Sequence, residues 1–135
     1  MKKFKENCPF CKYIERKEYL SRNLRAAVLR DRYPVTPGHT LIIPLRHIED
    51  VFGMSFPERT SAWRLILRER KRILTSDPSV SGFNIGVNSG VSAGQTVSHC
   101  HIHLIPRRRG DTPDPSGGIR SVIPGKRAYG DREGE

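Results

Sequence analysis

His99-Cys100-His101-Ile102-His103-Leu104-Ile105-Pro106 places three of the chain's five histidines in alternation with small or apolar residues. In a β-strand, residues two apart share a face. Cys100, Ile102 and Leu104 then point into a core, and the three imidazoles line the other side. Imidazole is the side chain most readily poised near neutral pH as nucleophile, acid, base or metal ligand. Three of them on one face point to chemistry rather than packing. One metal does not account for all three. Strand residues rise about 3.3 Å each, so His99 and His103 stand about 13 Å apart along the backbone, against Zn–N bonds of about 2 Å. At least one histidine has another task.

Just before this run lies Asn88-Ser89-Gly90-Val91-Ser92-Ala93-Gly94-Gln95-Thr96, a loop of small residues. Its glycines let backbone N–H groups approach an anion. Phe83 to Asn88 alternates as a strand. Further back, Pro57-Glu58 opens a long helix behind Ser55, with Trp63, Ile66, Leu67, Ile73 and Leu74 as its apolar stripe and Asp77-Pro78 at its end. Thr40 to Pro44 reads as a buried strand. Tyr19-Leu20-Ser21 and Ala26 to Leu29 read as a hairpin turned near Asn23, and residues 9–15 as a short helical turn. Asp31 to Gly38, with two prolines, is a loop. Strands, one long helix, then strands predict an α+β fold with a mainly antiparallel sheet. Cys100, on the core side, reads as a packed small residue rather than a thiol nucleophile.

The length, 135 residues, suits a single domain spanning 1–135, with an N-terminal segment over 1–15 and a Gly/Pro-rich tail over 110–135. In that tail Ile119, Val122 and Ile123 mark a segment that docks on something. No apolar run approaches the roughly 20 residues of a membrane span. The basic start lacks an apolar signal region, and three cysteines do not make a disulfide framework, so a cytoplasmic location is expected. The net charge of +10 concentrates in Arg64, Arg68, Arg70, Lys71 and Arg72, and in Arg107-Arg108-Arg109. This charge admits an anionic substrate or nucleic acid. A solvated helix face is the plainer reading of the first group. Aromatics at 7% leave no base-stacking strand, so a zinc-stabilised nucleic-acid-binding module is a less favoured alternative.

Cys8-Pro9-Phe10-Cys11 is half of a metal site, a redox pair or simple packing. No second such pair exists, so further ligands would be histidines. His47 follows the strand ending at Pro44, and His99 begins the histidine run. A tetrahedron of Cys8, Cys11, His47 and His99 would be closed and therefore structural. His47 as an ordinary surface histidine is the other reading. His39, in Pro37-Gly38-His39, sits at the mouth of a strand, and Asp31 could accept hydrogen bonds from a sugar diol or cap a turn.

Taken together these residues resemble the histidine-triad (HIT) hydrolase family. The resemblance runs from Cys8 to about Pro106. It rests on Pro34-Val-Thr-Pro37-Gly38-His39-Thr-Leu-Ile-Ile-Pro44, then Gly94-Gln95-Thr96-Val97, then the HxHxH run with two apolar residues after it. It implies a five-stranded antiparallel sheet with one long and one short helix, paired into a homodimer with a continuous sheet. His101 matches the family's nucleophile, His99 and His103 its flanking partners, and His39 the fourth histidine. Asp31 falls where the family contacts ribose. Asn88, Gln95 and Thr96 fall where it contacts phosphate and leaving group, and Thr96 is the candidate proton donor to that group. Members with an N-terminal CxxC look like this chain, and their structural zinc implies ligands at Cys8, Cys11, His47 and His99.

The implied reaction is cleavage at the α-phosphate of dinucleoside polyphosphates or related nucleotides through a nucleotidyl-histidine. A nucleoside phosphoramidase or a phosphorylase is the alternative on the same site. His103 favours hydrolysis, because related transferases carry Gln there. The stretch from His103 to Asp111 looks more like the Fhit and diadenosine-polyphosphate hydrolase branch, and Asp114 to Pro124 is similar to bacterial and archaeal members. Arg107 or Arg120 is expected to meet the far phosphates.

Overall fold

A computed structural model describes residues 4–129. The extreme ends of the expected N-terminal segment and tail lie outside the described residues. Helix α1 (Pro9–Glu15) begins where Cys8 Sγ accepts the Cys11 N–H at 3.3 Å. Pro9 suits the first helical position, where no N–H is needed. A short strand β1 (Ser21–Arg22) turns through Asn23 into β2 (Ala26–Arg30). Asn23 Oδ1 accepts the Arg25 and Ala26 N–H groups, and its amide donates to the Ser61 carbonyl at 2.8 Å. Strand β3 (Thr40–Pro44) follows, then helix α2 (Phe56–Ser76), β4 (Val80–Val87) and β5 (Ile102–Arg108).

The strands form one antiparallel sheet in the order β1-β2-β3-β5-β4. Helix α2 covers one face over Val28, Ile42, Cys100, Ile102 and Leu104. Helix α1 covers part of the other over Ala27, Leu29, Leu41 and Ile43. Strands β2 and β3 are thus apolar on both faces, which is why they read as continuous runs rather than alternations. A capping box between Ser55 and Glu58 starts α2, and Glu58 also takes Arg46 in a two-point ion pair. No helix among the described residues is long and apolar enough to cross a membrane.

Three expectations shift. The first hairpin strand is shorter than Tyr19–Ser21 suggested, although the Leu20 N–H still reaches the Val28 carbonyl. Of the expected stripe on α2, Trp63 and Leu67 face solvent, 52% and 49% exposed. Ala62, Leu65, Ile66, Glu69 and Ile73 make the buried face. The histidine strand begins at Ile102, not His99. Cys100 gives its N–H to the Ile48 carbonyl, so a loop rather than a neighbouring strand holds that backbone. The facing pattern survives: Cys100 lies in the α2-side core, and burial pushes its thiol up to about 12. The basic residues Arg64, Arg70 and Lys71 are exposed on α2, across the sheet from the histidines.

Candidate active site and metal-ligand cluster

Leu41, His103 and Gly86 are cross-strand neighbours on β3, β5 and β4, so their side-chain positions share the face opposite α2. Above this face lies a cleft of about 350 Å³. Phe10, Tyr13, Leu29 and Leu41 give it apolar walls; Asp31, Asn88, Thr96, His101 and His103 also line it. The structure therefore brings together five of the residues singled out in the sequence.

His101 is buried, with Nδ1 donating to the His99 carbonyl at 2.9 Å. That bond fixes the neutral ring with its lone pair on Nε2. Phe10 packs against the ring in a T-shaped arrangement, centroids 5.1 Å apart.

His39 lies behind His103 rather than on the cleft wall. The Val35 N–H donates to His39 Nδ1 at 3.1 Å, which places the proton of neutral His39 on Nε2. His39 Nε2 then donates to His103 Nδ1 at 2.8 Å. Neutral His103 in turn carries its proton on Nε2, so it presents a donor at the cleft. Burial favours these neutral forms. It lowers His39 from its usual value, and burial with the neighbouring His101 and His39 takes His103 down to about 4. Asp31 Oδ2 stands 3.5 Å from His39 Nε2, while Oδ1 accepts the Tyr33 N–H at 2.8 Å.

Gln95 is committed to the loop itself. Its Oε1 accepts the Gly90 N–H, and its amide donates to the carbonyls of Glu49 and Val97. Gly90 and Gly94 at φ +91° and +89° make the bends that hold this loop open, and Thr96 is exposed at its end.

His99 is fully buried, and its Nε2 donates to the Pro44 carbonyl at 2.9 Å. Its Nδ1 lone pair faces Cys8 Sγ at 3.4 Å and Cys11 Sγ at 3.6 Å. His47 Nδ1 lies 3.3 Å from Cys11 Sγ, and all four ligand atoms fall within 4.8 Å of one another. A tetrahedron with arms of about 2.0–2.3 Å has edges of about 3.3–3.8 Å, which the three spacings of 3.4, 3.6 and 3.3 Å match. Burial pushes the Cys11 thiol up to about 11, a cost that a bound cation would offset. The donor set, two thiols and two imidazoles, could hold one tetrahedral, thiophilic metal with no open position.

Arg107 is bound within the fold. It grips Asp111 through two bonds and Asn84 through a third. Arg120 donates to the Ala128 carbonyl and lies over the Tyr129 ring. Both guanidiniums expected to meet far phosphates are thus occupied within the fold. Sequence reading missed Phe10, Tyr13, Leu29 and Leu41 as cleft walls. Their signal was present in the CxxC interior and in the second apolar face of β2 and β3.

The HIT domain model matches residues 15–110. Bis(5'-nucleosyl)-tetraphosphatase [asymmetrical] of Schizosaccharomyces pombe is 33% identical over 102 residues, covering 76% of this chain and 56% of that protein. A HIT family protein from Bacillus anthracis superposes with a TM-score of 0.73 at 33% identity, over 78% of this chain and 77% of that one. A zinc-bound histidine triad family protein from Mycobacterium smegmatis gives a TM-score of 0.71 at 30% identity, over 80% and 84%.

Proposed function

Because the chain belongs to the histidine-triad (HIT) family, we propose that it is a hydrolase cleaving dinucleoside polyphosphates, or related nucleotidyl substrates, at the α-phosphate. The observation that carries this reading is His101: its Nδ1 is spent on a backbone carbonyl, and its ring lines the cleft with Nε2 as the remaining basic nitrogen. The nucleoside lies toward Phe10, Tyr13 and Leu29, with its ribose diol at Asp31.

In the first step His101 Nε2 gives its lone pair to the α-phosphorus. A P–N bond forms, and the P–O bond to the leaving polyphosphate breaks. The Nε2–H of His103 donates to a non-bridging oxygen, where the transition state gathers charge. His39 positions His103 through the 2.8 Å bond between them. Thr96 hands a proton to the leaving group, and Asn88 contacts the phosphates. In the second step water attacks phosphorus and gives up a proton that restores the Thr96 hydroxyl, the P–N bond breaks with its electron pair returning to His101 Nε2, and the nucleoside monophosphate leaves. Gln95 acts by holding the phosphate loop in shape.

Cys8, Cys11, His47 and His99 hold structural zinc in this reading. The metal when bound supplies no reacting group and fixes the position of His99. The zinc-bound mycobacterial neighbour and the spacing of the four ligand atoms support it. We also propose a homodimer. Strand β4 ends the sheet, Ile85 on that strand is 41% exposed, and Trp63 and Leu67 of α2, the helix packed on the same sheet, are exposed as well. A second copy paired along β4 would cover this apolar surface and join two sheets. Three cysteines without a disulfide accord with a reducing, cytoplasmic location.

The test is product analysis by chromatography with diadenosine tri- and tetraphosphate and adenosine 5'-phosphoramidate. The wild type is expected to release AMP from at least one substrate, and His101→Ala from none. Turnover by His101→Ala at the wild-type rate would sink the covalent mechanism.

A further inference from the structure

The tail beyond the family-matched region folds back onto the face that carries the triad. A short turn over Gly118–Val122 packs on β4. Ile119 Cδ1 lies 3.7 Å from where a side chain on Gly86 would begin, and Gly118 stands over the Asn84 amide. Gly86 pairs with His103, and Asn84 with Ile105. Ile119 therefore sits on the same face as the His103 imidazole, one strand away, or about 5 Å across the sheet. Just past the end of β4, Asn88 of the cleft follows Gly86 by two residues, about 7 Å.

This position is constructed rather than incidental. Gly117 has φ +80°, and a Cβ there would collide with the Arg127 carbonyl. Arg127 closes the same loop on Asp114 and on the Ser116 carbonyl. Yet Ile119, Val122 and Ile123 remain 57%, 72% and 57% exposed. Ile119 stands beside the triad, and Val122 and Ile123, three and four residues on, extend an apolar ledge that the fold leaves uncovered.

We propose that this ledge is the subsite for the leaving half of the substrate, a second nucleoside carried on its phosphates. The inference rests on the hydrolase reading above. With the first nucleoside at Asp31, on the β2 side, the departing group is directed to the opposite flank, which is β4 and the tail. The apolar side chains there suit the face of a base. The exposed Lys126 of the same segment adds a cation for the phosphates. The tail then selects dinucleotide substrates over those with a small leaving group.

The experiment compares kcat/KM for diadenosine tetraphosphate with kcat/KM for adenosine 5'-phosphoramidate, which shares the adenylyl half. Ile119→Asp is expected to lower the ratio of the two about tenfold. Gly117→Ala, which dislodges the tail without touching substrate, is expected to lower it in the same direction. Thermal melts of both variants report on the fold. If the wild type turns over both substrates and the ratio stays constant in both variants, the subsite is refuted while the hydrolase reading stands. If both substrates fail together with a change in oligomeric state, the tail belongs to a subunit contact and the proposal is overturned. If the wild type turns over neither, the hydrolase reading falls, and this inference with it.

Discussion

His101 is oriented by the backbone of His99: its Nδ1 donates to the His99 carbonyl at 2.9 Å. The His99 ring is itself held between the Pro44 carbonyl and the thiols of Cys8 and Cys11. The proposed nucleophile and the proposed metal cluster are thus consecutive links of one chain of contacts. Loosening the cluster frees the His99 backbone and with it the tautomer of His101.

Cys11→Ser therefore lowers both stability and turnover. Metal content by elemental analysis is expected to fall, the melting temperature to drop by at least about 5 °C, and kcat to fall about 10–100-fold, the scale seen when the groups that orient a site are lost. Chelation of the wild type reproduces both effects. A metal-free protein with unchanged melting temperature and kcat would break the link between the two sites.

Acid weakens the fold through the same histidines. His103 is held down to about 4, chiefly by burial, and His39 is lowered by burial as well. Below pH of about 6.5 the unfolded chain binds protons that the folded protein refuses, so stability falls as pH drops toward 4 and this contribution is gone below that. Above 6.5 it is fully present. Urea midpoints from pH 7.5 to 4 are expected to decline, and His103→Gln to decline less steeply. Parallel curves for the two proteins would assign the acid sensitivity elsewhere.

Alternation alone was enough to place Cys100, Ile102 and Leu104 in one core and the imidazoles opposite, because a period of two survives even where the ladder does not. It could not reveal that the backbone at Cys100 is held by Ile48, since that bond depends on how a distant loop returns. The CxxC and two scattered histidines converge because α1 and the loop after β3 meet over His99, a tertiary fact with only a spacing hint in the chain. Trp63 and Leu67 misled because apolarity does not say which side of a helix is covered. Glu69 shows the converse, a charge hidden at 1% exposure.

Glu69 is tolerable there because its charge is met. It accepts Arg72 Nη2 at 2.7 Å and lies 3.8 Å from Arg30 Nη1. Both guanidiniums reach solvent, with side chains 51% and 41% exposed. Glu69→Ala is expected to cost about 2–3 kcal/mol, from lost bonds and an unfilled site. Glu69→Leu refills the volume and strands no buried charge, so it costs less than about 1 kcal/mol. Denaturant titrations settle the order, and an equal or larger loss for Leu would show that the ion pairs themselves are indispensable.

Thr96 stands exposed at the end of a loop that Gln95 holds in shape, on the rim of the cleft beside His101. If it passes a proton to the leaving group, its loss is felt in proportion to that group's need. An amine must be protonated as it departs, whereas p-nitrophenolate leaves as a stable anion. Thr96→Ala is expected to lower kcat for adenosine 5'-phosphoramidate about 100-fold, the scale of general acid catalysis. For the p-nitrophenyl ester of AMP the fall is expected to be under about 3-fold. Equal losses on both substrates, or a change confined to KM, would reassign Thr96 to phosphate binding and leave proton delivery to another group.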